Sequence, residues 1–142
     1  MRKLGIIAGG GQLPLSIVEE CKKNSIEPVV IIINGFANDN DFEGLKRITI
    51  TFGKIGKAFR FFKKNGVSQI VFAGAVKKPN LRDIIPDFTG LFLLIKLLRI
   101  KFFGDDIVLK TVIDFIEKRG FEVVQVDDIL KDTKIKEGVV GR

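Results

Sequence analysis

A chain of 142 residues with a net charge of +7, one cysteine and no histidine suits one domain with a real core, and it leaves out whole classes of chemistry. Without histidine there is no Ser-His-Asp, Cys-His or His-metal arrangement, which disfavours zinc and leaves carboxylates, lysines and hydroxyls, with a hard cation such as Mg²⁺. The lone Cys21 forms no internal disulfide and suits a reducing cytoplasm, while the positive charge favours an anionic partner without choosing among nucleic acid, phospholipid surface and phosphorylated small molecule.

Met1-Arg2-Lys3-Leu4-Gly5 runs straight into a strand-like pattern, with no cleavage site of a signal peptide. Leu4–Ala8 reads as a buried strand closed by Gly9-Gly10-Gly11. Pro14 suits the first turn of a helix, whose buried stripe is Leu15, Ile17, Val18 and Cys21 and whose wet face is Glu19, Glu20, Lys22 and Lys23. Pro28–Ile33 is a second buried strand, β-branched nearly throughout. Ile48–Thr51 makes a third strand. A helix follows over Lys54–Lys64, with Ile55, Ala58, Phe61 and Phe62 inward and Asn65-Gly66 as its stop.

Gln69–Ala73 is the next strand, ending at Gly74, and a loop runs from Ala75 to Asn80. Short helical material is expected around Leu81–Ile85, then an apolar helix over Leu91–Phe103. Asp105 or Asp106 suits the cap of a helix that reaches Lys118 and stops at Gly120, and Phe121–Val126 is a last strand. No run reaches the ~20 apolar residues of a spanning helix. Strands alternating with helices in this way predict one α/β domain over residues 1–142, a Rossmann-like three-layer sandwich with a mostly parallel sheet.

In such sheets ligands sit off the carboxyl ends of the strands, where two turns of this chain fall: Gly9–Leu13 and Ala73–Asn80. The first is the stronger signal. Glycines admit a ligand close to the backbone, and a helix start aims N–H groups at an anion, although a tight strand–helix turn with no ligand has the same look. A dinucleotide fingerprint is incomplete here: Gly9 and Gly11 match it, Pro14 replaces the third glycine, and the second strand ends in Ile33-Asn34 without a carboxylate. No Gly-Lys-Ser/Thr follows either, so ordinary NAD or ATP binding is disfavoured.

In the second turn, small residues leave room and Lys77-Lys78 could neutralise phosphate; a solvated surface loop is the plain alternative. Gly104-Asp105-Asp106 reads first as a helix cap and second as a metal site, and Asp127-Asp128 the same more weakly. Leu91–Phe103, with Lys96, Arg99 and Lys101, could lie on an anionic bilayer, but burial in the core with snorkelling cations is the preferred reading. The thirteen Phe, without Tyr or Trp, sit mostly in apolar runs. They form no stacking platform for single strands, and nucleic acid is not an expected partner.

Arg2-Lys3-Leu4-Gly5-Ile6-Ile7-Ala8-Gly9-Gly10-Gly11 with Leu13-Pro14 resembles the opening of the LpxI-type UDP-2,3-diacylglucosamine pyrophosphatases. Phe52-Gly53-Lys54, Phe72-Ala73-Gly74-Ala75-Val76-Lys77-Lys78-Pro79, and Gly104-Asp105-Asp106 followed by Gly120-Phe121-Glu122 match further motifs of that family in order. The resemblance implies a cytoplasmic enzyme, peripheral to the inner membrane, in lipid A synthesis. It would hydrolyse UDP-2,3-diacylglucosamine to UMP and 2,3-diacylglucosamine 1-phosphate with Mg²⁺ or a similar divalent cation.

The resemblance covers most of the chain but departs in two ways. The family carries arginine where this chain has Lys78, which keeps the charge and loses the bidentate fork. The family is also roughly twice as long, and its second domain holds the aspartate associated with catalysis. The chain then reads as the N-terminal domain, either a fragment or a natural half-protein, inactive alone and partnered by the second domain, with homo-oligomers left open. Substrate contacts are expected from Gly9, Gly10, Gly11, Gln12, Leu13, Ala73, Gly74, Ala75, Lys78 and Asp105, with no catalytic residue in this chain and the metal ligands unassigned. A non-catalytic nucleotide- or phospholipid-binding module is the alternative, and an NAD(P)-dependent oxidoreductase fragment a weaker one.

Overall fold

The apolar run ahead of the glycine turn becomes the central strand. In the computed structural model, which describes residues 2–51, 53–75, 84–99, 105–126 and 129, β1 (Lys3–Ala8) leads into α1 (Leu13–Lys23), β2 (Glu27–Ile33) and a 3-10 turn at Asp39–Phe42. Next come β3 (Lys46–Ile50), α2 (Ile55–Lys64), β4 (Gln69–Ala73), α3 (Phe88–Leu98), α4 (Asp105–Glu117) and β5 (Glu122–Val124). The strands lie in the order β3-β2-β1-β4-β5, and every pairing is parallel. The expected Rossmann-like sandwich is present, and among the described residues all strands of its sheet are parallel.

Parallel strands need crossover connections, and right-handed crossovers put each helix on the face its direction of travel dictates. From β1 the chain steps outward to β2 and β3, so α1 and Phe42 cover one face together with Ile6, Val30, Ile32 and Val71. From β3 it returns across the sheet to β4 and then β5, so α2, α3 and α4 cover the other. There Phe59, Phe62, Leu93, Phe115 and Ile116 pack on Val29, Ile31 and Ile70. β2 has helices or turns over both faces, which is why it is apolar without alternation.

The boundaries differ in instructive places. In α2 it is Phe59 that is buried while Phe61 is half-buried, because Phe59 shares the stripe of Ile55 and Phe62 and stacks on Phe121 at 5.3 Å. α3 starts at Phe88, earlier than expected, and Ile84 and Ile85 are not helical. β5 is only three residues long. α4 begins at Asp105, so the two aspartates stand in its first turn rather than ahead of it. Gly120 ends that region with φ +95°, as a stop glycine should.

Cys21 sits in the core between α1 and the sheet, fully buried. Burial pushes its thiol up to about 11, with Arg2 drawing it down and Glu20 adding to the rise. Only the thiolate is nucleophilic, so the native chain at pH 8 should resist iodoacetamide and react once unfolded in urea. Rapid labelling of the folded chain would contradict this burial.

Candidate functional site

Between β1 and β4 the connections diverge to opposite faces of the sheet, the switch point at which sheets of this kind form a ligand crevice at the strands' carboxyl ends. The turns at its base are joined through the backbone. Gly9 N–H donates to the Ala73 carbonyl at 2.8 Å, and beyond the strands Gly10 and Ala75 exchange two bonds of 2.9 Å in an antiparallel bridge. Glycine is required here by contact. A Cβ at Gly74 would stand 2.7 Å from both Gly9 C and Gly10 O, with φ at +99°, and one at Gly10 would stand 3.0 Å from the Phe36 carbonyl in the turn after β2. Three strand ends thus converge on a floor made of main chain.

Gly11 turns the chain into α1 with φ +95° and open space around it. α1 has Gln12 at its cap without a side-chain bond, Pro14 in its first turn and no acidic residue there. The first bond into the helix is Ser16 N–H to the Gln12 carbonyl, at 3.0 Å. The amides of Leu13 and Leu15 precede that ladder at a positive helix end whose first turn carries no acidic residue, an arrangement suited to an anion. At the end of β2, where a dinucleotide-binding sheet carries an acid for the ribose, this chain presents exposed Asn34.

A second junction flanks the crevice and was not legible as a site from composition. Asp87 caps α3 by accepting from Gly90 N–H at 2.8 Å, and its other oxygen accepts from Lys57 N–H, in the first turn of α2, at 3.0 Å. One carboxylate therefore serves two helix starts. Partial burial, the largest single influence on it, pushes its pKa up. The amides of Gly90, Gly56 and Lys57 and the charge of Arg60 together outweigh that and hold it below the ordinary carboxylate range. Gly53, with φ +93°, packs under Ile84 and Pro86, and a Cβ at Gly90 would collide with the Gly53 carbonyl. The first turns of α2 and α3 are thus locked together.

Of the residues expected to touch a ligand, Gly9, Gly10, Gly11, Gln12, Leu13, Ala73, Gly74 and Ala75 are brought together at the strand ends. Lys77, Lys78 and Pro79 lie outside the described residues, as do Phe52, Gly104, Asp127 and Asp128, and so do the side chains of Asp105 and Asp106. Among the described residues, no three His, Cys, Asp or Glu side chains are grouped to hold a metal ion. Sequence reasoning missed Asp87, although Pro86-Asp87 ahead of an apolar run is a helix-start signature.

A family model described as the LpxI N-terminal domain matches residues 3–133. The chain is also similar to the UDP-2,3-diacylglucosamine pyrophosphatase LpxI of Caulobacter vibrioides, with 32% identity over all 142 residues. The match takes in 50% of that relative, so the chain spans about half its length.

Proposed function

The chain belongs to the LpxI N-terminal domain family, and from that premise we propose that it supplies the phosphate- and sugar-binding half of a UDP-2,3-diacylglucosamine pyrophosphatase. The match over residues 3–133, which contains both turns of the crevice, carries this reading. The amides of Gly11, Gln12, Leu13 and Leu15 and the cation of Lys78 hold the anionic substrate. Ala73, Gly74 and Ala75 leave space for its sugar, and Asp105 contributes a further contact. Hydrolysis yields UMP and 2,3-diacylglucosamine 1-phosphate. Mg²⁺ and the catalytic carboxylate are assigned to the other half of the longer protein, as the family resemblance implies. The enzyme works in the cytoplasm at the inner-membrane surface, where an acylated substrate resides; among the described residues, no helix is long and apolar enough to cross a membrane.

Calorimetric titration of the 142-residue chain should give saturable binding of UDP-2,3-diacylglucosamine and none of NAD. With Mg²⁺ present, UMP should appear only after the other half is added, in the same chain or separately, because in-line attack on a pyrophosphate needs placed carboxylates. Preference for NAD would overturn the ligand assignment. UMP release by the chain alone would overturn the division of labour, and binding without hydrolysis even in the longer protein would favour a non-catalytic module.

A further inference from the structure

α3 is apolar on two faces, and only one of them is covered. Leu93 is buried, and Thr89, Leu94 and Leu97 are half-buried, on the side that meets α2 and α4. The opposite side exposes Phe88, Leu91, Phe92, Ile95 and Leu98, with Phe88 at 86% and Phe92 at 64% of full exposure. These positions recur at helical spacing, so they form one continuous stripe rather than scattered apolar residues. This corrects the expectation that the helix is simply core: half of it is, and half faces outward.

The charges on α2 and α3 have one sign, whereas α4, also packed against α3, exposes Asp114 and Glu117 beside Lys110. α3 carries Lys96 and is followed by exposed Arg99, and α2 beside it exposes Lys57, Arg60, Lys63 and Lys64. Neither helix contains an Asp or Glu, and the carboxylate at their junction, Asp87, is taken up by helix amides. An aromatic and aliphatic stripe with cations on the α2 side and at its C-terminal end complements an anionic lipid surface, with apolar side chains entering the acyl boundary and lysines and arginines meeting phosphates. The locked first turns also set its direction. α2 starts where β3 ends, at the carboxyl end of the sheet, and α3 starts against α2, so Phe88 lies at the end of the domain where the crevice opens.

We propose that the outer face of α3, with the cations of α2, Lys96 and Arg99, is the surface by which this chain docks on an anionic bilayer. The assignment rests on the membrane-surface placement proposed above and names the face responsible for it. Docked in this way, the crevice mouth lies at the edge of the lipid.

Co-sedimentation of the 142-residue chain with vesicles tests it: phosphatidylglycerol mixed with phosphatidylcholine against phosphatidylcholine alone, neither containing substrate. The parent should partition onto the anionic vesicles, lose binding in high salt and ignore the neutral ones. Phe88→Ser with Phe92→Ser, and separately Lys96→Glu with Arg99→Glu, should each lower partitioning by about tenfold or more. All four side chains are exposed, so melting temperatures should stay within a few degrees of the parent. No binding by the parent would remove both the membrane placement and the face. Binding that neither double variant weakens would remove the face alone. A parent that self-associates without binding vesicles, and that Phe88→Ser with Phe92→Ser makes monomeric, would reassign the stripe to a contact between copies.

Discussion

Gly74→Ala should destabilise the chain by about 2–5 kcal/mol in urea melts, far more than its exposed position suggests. Two costs combine. The residue holds φ at +99°, which an L-residue adopts at a cost of roughly 1–2 kcal/mol, and its new Cβ would press on the backbone of Gly9 and Gly10 rather than on a side chain that can swing away. Gly11→Ala separates the two. Gly11 has φ +95° but nothing near its missing Cβ, so it should lose only the roughly 1–2 kcal/mol of strain. Equal losses at the two positions would mean that the bridge between the turns does not constrain Gly74.

Asp87→Ala should be the second large effect, costing about 2–4 kcal/mol, because it removes the caps of two helices at once. For a chain of this size that is a fall in Tm of about 6–12 °C. Asp87→Asn should fall between, since its amide keeps one acceptor oxygen where two are used. pH gives the sharper check. The folded carboxyl lies below its unfolded value, so its contribution is fully present above that ordinary value and fades as pH falls through the folded one. The Tm gap between parent and Asp87→Asn should therefore hold from neutral pH to about pH 5 and shrink below about pH 4. A gap unchanged at pH 3 would show that the charge of Asp87 does not stabilise the junction.

What the sequence displayed and what it hid follow from the range of the interactions involved. β1, β2 and the turn at Gly9–Gly11 were legible because buried parallel strands are continuously apolar and glycine marks where they stop. The separate tasks of the three residues were not. Gly10 answers to the Phe36 carbonyl and Gly11 to a left-handed turn, and only the first of these depends on a distant segment. Asp87 had a local signal for capping α3 and none for capping α2, whose amide comes from Lys57 across a packed interface. Leu91–Phe103 read as core with snorkelling cations because a helix apolar on nearly every side gives no clue to which side is covered. Periodicity reports a face only when the opposite face is polar.

The bridge from Gly10 to Ala75 also has a bearing on the order of folding. β1 meets β2 through a short excursion along α1, but it meets β4 only after the chain has passed through β2, β3 and α2. Closing that longer loop is the slower, entropically dearer step, so one edge of β1 stays open until β4 arrives. The crevice has no partial form: before β4 docks, neither the bridge nor the opposing wall exists. Any ligand held across the two turns therefore recognises the completed sheet alone and draws the folding equilibrium toward it. It acts as a clasp on the β1–β4 seam as well as a cargo of the site.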